Sequence, residues 1–100
     1  MSKSVKKGDK ESMKVKNLNG TSMSKPEECE SWKEFYVKRH GYWPISCSCL
    51  GCSRSADVGA HVKKVGSYDG RWYIAPLCYY HNNQFGEELE VVEFFLEPIR

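Results

Sequence analysis

Between Ser24 and His40 the apolar residues recur at helical spacing. Cys29, Trp32, Phe35 and Tyr36 fall at i, i+3, i+6 and i+7 and make one face. Ser24 is placed to cap the N-terminus, and Glu27 completes a Ser-x-x-Glu capping box. Pro26 sits in the first turn, where its missing N–H is harmless. Glu28 and Glu30 suit the positive end of the helix dipole, Lys38, Arg39 and His40 the negative end, and Gly41 the C′ position. This pattern predicts a helix over 26–40 with Cys29 on its core face. The period then changes. Tyr42-Trp43-Pro44-Ile45 is held extended by the proline. Small and β-branched residues over 56–65 predict a strand, 66–70 a turn, and 71–76 the returning strand. A short helix is expected over 77–85, stopped at Gly86. Residues 87–100 mix both periods, and their β-branched content with Pro98 favours a terminal strand. Trp72, Tyr73, Tyr79 and Tyr80 are expected to build the small core.

The segment ahead of the helix has a different composition. Met1 to Lys25 contains no aromatic residue, and its seven lysines oppose only Asp9 and Glu11. So little apolar surface cannot offset the entropy of ordering the chain, which predicts a disordered basic tail over 1–25 and a folded domain over 26–100. The domain carries eight Lys and Arg against eleven acids, so the overall charge of +2 hides a basic tail on a mildly acidic body. No apolar run approaches the roughly 20 residues of a membrane span, and no signal-peptide core follows the first lysines. A soluble, intracellular, cytoplasmic protein without membrane partners is therefore expected.

Four of the five cysteines fall in two short clusters, Cys47-Ser-Cys49-Leu-Gly-Cys52 and Cys78-Tyr-Tyr-His81. Two-residue gaps, as in Cys49-x-x-Cys52 and Cys78-x-x-His81, let one turn aim two ligands at one ion, and thiolates with imidazole suit tetrahedral zinc. An odd cysteine count without a secretory signal also fits metal better than disulfides. The expected ligands are Cys49, Cys52, Cys78 and His81, with Cys47 as the alternative to Cys49 across a four-residue loop. The thiol left over would be a small hydrophobe or a weak donor to its neighbour. A body of this size gains a staple from structural zinc.

Knuckle, hairpin and short helix with a ligand pair at each end is the order of a treble-clef zinc finger. With it, Gly59-Ala-His61-Val62 and Ile74-Ala-Pro-Leu-Cys78-Tyr-Tyr-His81-Asn82-Asn83 resemble the HNH, or His-Me finger, family over about half of the body. The resemblance implies an α+β fold: a small zinc-stapled, HNH-like ββα core with the N-terminal helix packed on it. It places His61 where the family keeps its general base, and Asn82 or Asn83 where it keeps a metal-binding residue on the helix. Two positions depart from the pattern. Ala60 stands where Asp or His commonly helps hold the catalytic cation, and Tyr73 where the middle Asn is expected. The resemblance therefore implies the fold more fully than the chemistry. Three functions follow. The first is a zinc-binding module that contacts DNA or RNA through its tail and through Arg54, Lys63, Lys64 and Arg71 on the hairpin. The second is an HNH-type endonuclease using His61 and Asn82 with Mg2+ or Mn2+. The third is a zinc-stapled protein-interaction domain.

Overall fold

The computed structural model describes residues 11–18, 31–66, 70–84 and 86–99. Five strands form one antiparallel sheet: β1 (Ser12–Asn17), β2 (Val58–Lys64), β3 (Trp72–Leu77), β4 (Glu88–Val92) and β5 (Glu97–Pro98), in the order β4-β1-β2-β3-β5. Two α-helices accompany it, α1 (Trp32–His40) and α2 (Tyr79–Asn82), with a 3-10 turn at Glu93–Phe95. The domain is α+β, as expected.

The first strand overturns part of the expected tail. β1 lies inside the sheet, pairing with β2 at Val15↔Lys64 and with β4 at Val15↔Leu89. Met13 and Val15 alternate with Lys14 and Lys16, so one face meets the core while the lysines stay in water. Val15 is fully buried, and backbone hydrogen bonds on both edges hold a segment whose lysine-rich composition suggested nothing of the kind. The rest of the expected tail, 1–10 and 19–25, lies outside the described residues.

α1 begins at Ser31, whose Oγ accepts the N–H of Glu34 at 3.1 Å. The expected cap Ser24, residues 26–30 and Cys29 lie outside the described residues. The helix ends as expected at Gly41, whose N–H donates to Val37 O at 2.8 Å. Phe35 and Tyr36 bury its inner face against Ile74 of β3, flanked by Trp32, Trp43 and Ile99. Tyr36 donates its hydroxyl to Phe95 O at 2.9 Å. Close approach of the helix to the sheet depends on Gly59. A Cβ there would lie 3.1 Å from Ile74 Cγ2 and 3.6 Å from Lys33 N.

The hairpin of β2 and β3 keeps Lys63↔Trp72 and Val58↔Leu77 in register. Side chains alternate across it. Gly59, His61 and Ile74 meet α1, whereas Ala60, Val62, Ala75 and Leu77 join the core on the other face. The C-terminal segment is a strand as expected over Glu88–Val92, and the second short strand, β5, then pairs with β3 at Tyr73↔Pro98.

Candidate metal centre

The opposite face of the sheet from α1 carries the cysteines. Residues Cys47 to Arg54 form a knuckle that doubles back on itself, with Cys47 N–H donating to Arg54 O at 2.8 Å and Cys52 N–H to Cys49 O at 3.1 Å. Gly51, at φ 75°, takes the left-handed corner of this turn. One arm of the knuckle runs beside β4. Val92 N–H donates to Ser48 O and Leu50 N–H to Glu90 O, each at 2.9 Å. The second ligand cluster caps α2. Cys78 is the N-cap, and its sulfur accepts the N–H of His81 at 3.5 Å.

Cys47, Cys52, Cys78 and His81 come together with all four ligand atoms within 4.8 Å of one another. His81 Nδ1 lies 3.3 Å from Cys78 Sγ and 3.6 Å from Cys47 Sγ, and the Cys52 and Cys78 sulfurs are 4.0 Å apart. Tetrahedral zinc, with Zn–S near 2.3 Å and Zn–N near 2.0 Å, sets neighbouring ligand atoms about 3.5–3.8 Å apart. The group can hold a metal ion, and three thiolates with one imidazole select zinc among the common ones. The backbone N–H of His81 also supports the Cys78 sulfur.

Three of the four expected ligands are in this group, and the fourth place is taken by Cys47. Cys49, the favoured partner of Cys52 in the sequence, stands outside it. The knuckle arm explains the exchange: pairing beside β4 makes Cys49 the bridge partner of Val91 and packs it into the core. A hydrogen bond from Cys49 is the largest influence drawing Cys47 toward thiolate, and the same contact, followed by burial, pushes Cys49 up.

His61 is on the other face of the sheet, away from these ligands. It is 2% exposed, its ring stands edge-on to Trp32 at 4.6 Å, and its Nδ1 has no hydrogen-bond partner among the described residues. Burial holds its pKa below the usual imidazole value. Asn82 is engaged with β1, accepting Asn17 Nδ2 at its backbone oxygen (2.6 Å) and at Oδ1 (3.2 Å). Asn83 is exposed at the C-cap of α2. His61 is thus a packed ring, without the carbonyl partner such a ring usually finds.

The basic residues expected on the hairpin do not form one patch. Lys63 is exposed on the α1 side, whereas Lys64, one residue on, turns to the metal side and pairs with Glu93 at 3.1 Å. Arg54 lies on the knuckle with its guanidinium over the Tyr80 ring at 4.7 Å, and Arg71 is exposed beside Trp72. The aromatic residues also divide. Tyr73 is core as expected, but Trp72, Tyr79 and Tyr80 are exposed. Tyr79 and Tyr80 fall on the outer side of a single helical turn whose inner side is spent on Cys78 and His81. Their adjacency to two ligands was the signal that they could not also face the core.

Among the described residues no helix is long and apolar enough to cross a membrane. No protein-family model matches the chain, and no curated protein or solved structure matches it. The likeness to the HNH family rests on the motif residues alone.

Proposed function

We propose that this protein is a zinc-stapled binding module of treble-clef type, HNH-like in the order of its elements, that holds nucleic acid on the open part of its sheet. One observation carries the reading. Lys16 of β1, Lys63 of β2 and Trp72 of β3 are direct cross-strand partners and form a row on one face. Like charges placed directly opposite destabilise a sheet, and neither lysine has an ion pair among the described residues. Glu88, across from Lys16 on β4, makes none with it either. A phosphate would relieve the repulsion, and the half-exposed indole beside Lys63 offers a stacking surface for a base. The knuckle, the hairpin and α2 follow one another as in treble-clef fingers, with a ligand pair at each end.

The endonuclease reading draws less support. Its base would be His61, buried against Trp32 with a depressed pKa, and Ala60 brings no cation ligand beside it.

The test is a fluorescence-anisotropy titration of the zinc-loaded full chain against a labelled oligonucleotide at several salt concentrations. Binding should weaken steeply with salt, and Lys16→Ala and Lys63→Ala should each lower the slope of log K against log salt by about 0.7–1. Salt-independent binding, or unchanged slopes in both variants, would reject the nucleic-acid reading.

A further inference from the structure

We propose that α2 carries a second contact: Tyr79 and Tyr80, with Arg54, form a stacking platform for the unpaired bases of a single strand. The inference rests on the nucleic-acid reading above and adds a surface to it. Tyr79 is 63% exposed and Tyr80 54%, on consecutive positions of one helical turn. Neither ring contributes to either core cluster. Tyr80 stands edge-on to the His81 ring at 5.1 Å and leaves its outer face in water, and neither ring is needed to fold α2, because that turn is fixed from below. Cys78 and His81 belong to the metal group, and Asn82 is tied to Asn17. The turn that carries the two rings is therefore positioned by its inner side.

Arg54 gives the surface its sign. Its backbone oxygen is bound by Cys47 N–H inside the knuckle, and its side chain reaches out to lie over Tyr80. A guanidinium held over a ring is a phosphate donor beside a stacking face. The acid that touches this helix, Asp57, is turned to the backbone N–H of Tyr79 at 3.4 Å. Exposed tyrosines with an arginine also occur in protein interfaces, but the cation over the ring favours a polyanion here, the same class of partner that the lysine row on the α1 face suits. The choice of single strand over duplex follows from shape. In a duplex the base faces are hidden in the stack, and a four-residue helix presents too little length to read a groove.

The experiment uses the zinc-loaded full chain with a labelled twelve-residue oligothymidylate and a labelled duplex of the same length at one salt concentration. Wild type should prefer the single strand. Tyr79→Ala and Tyr80→Ala should each weaken single-strand binding by roughly tenfold or more, since a stacked base is worth a factor of this order. Tyr79→Phe and Tyr80→Phe should retain it, because the ring face is what is used. Tyr79→Ala should keep the zinc content and thermal midpoint of wild type. The Tyr80 ring touches His81, so for Tyr80→Ala zinc content is measured beside binding, and a loss of metal is told apart from a loss of stacking. Arg54→Ala should lower the single-strand salt slope by about 0.7, whereas the tyrosine variants leave it unchanged. Single-strand binding unaltered in both alanine variants, or a wild-type preference for duplex, would overturn the platform while leaving the lysine row standing. A wild type that binds neither probe would overturn both.

Discussion

The two faces of this sheet are closed by different means. Toward α1 the filling is large and aromatic, with Phe35 and Tyr36 on Ile74, and Trp32 and Trp43 at the margin. Toward the knuckle it is mostly small: Val15, Ala60, Val62, Ala75, Val91 and three cysteines, with Leu77, Leu89 and Leu96 the largest aliphatics and Tyr73 the one buried aromatic ring of that cluster. No second long helix covers that side among the described residues, where α2 is a single turn. A face lined with alanines and valines gains little area per residue when it is covered by a loop. A metal ion held by Cys47, Cys52, Cys78 and His81 would make up the difference, joining the knuckle to the helix after β3. A domain this small can thus leave one face under-filled, provided metal fastens what lies over it.

The contrast breaks most visibly on removing metal. Structural zinc in small fingers contributes about 10–16 kcal/mol of apparent binding energy, as much as the whole stability of a typical domain. The purified protein should carry one zinc per chain, and chelation should collapse its dispersed amide spectrum. Cys47→Ser, Cys78→Ser and His81→Ala should do the same. Cys49→Ser should retain the zinc, because that thiol does not stand in the group. Zinc lost from Cys49→Ser but kept by Cys47→Ser would reverse the ligand assignment, and full dispersion in excess chelator would refute the staple.

A smaller effect separates β1 from the tail it was expected to belong to. Val15 is fully buried between β2 and β4 on the metal side. Val15→Ala should cost about 2 kcal/mol in urea unfolding. Lys14→Ala, on the solvated side of the same strand, should stay within about 0.5 kcal/mol. Equal effects at the two positions would mean that β1 is not part of the cooperative fold.

That strand marks where the sequence was hardest to read. Its apolar share is Met13, Val15 and Leu18 in a run dominated by lysine and polar residues. Composition averaged over 1–25 drowned a short alternation that needs two neighbouring strands to become stable. The hairpin, α1 from Trp32 onward and the two ligand clusters were legible because each is local: a period, a cap or a spacing within one turn. The ligand exchange between Cys47 and Cys49 was not. Both spacings satisfy zinc, and the choice is made by the pairing of Ser48 and Leu50 with β4, some 40 residues away in the chain. The exposure of Tyr79 and Tyr80 has the same origin, since helix facing was settled by where Cys78 and His81 had to point.

On the aromatic side single contacts should be worth less. The Tyr36 hydroxyl donates to Phe95 O at 2.9 Å, and burial first, then Tyr42 and Glu97, raises its pKa. Tyr36→Phe removes the donor and keeps the ring, and should cost about 1 kcal/mol. The zinc content should not change. A loss of metal in this variant would show that the two faces are not independently fastened.

His61 tests the same side through pH and should show the smallest effect. Its ring is buried against Trp32 with Nδ1 unpartnered, and burial lowers its pKa. As pH falls, the unfolded chain, whose histidine titrates near 6.5, takes up the proton before the folded protein does. The contribution of His61 is therefore intact above about pH 6.5 and is lost progressively below it, toward the depressed folded value. The zinc ligands also protonate in acid, so wild type alone cannot report on this ring. His61→Leu keeps an apolar filling and removes the titration. With zinc in excess, thermal midpoints of the two proteins should run parallel above neutrality and separate below about pH 6.5, with wild type falling faster. Profiles that stay parallel down to pH 5 would mean that the buried ring is protonated as readily as a free one, and that its environment is wetter than its packing against Trp32 implies.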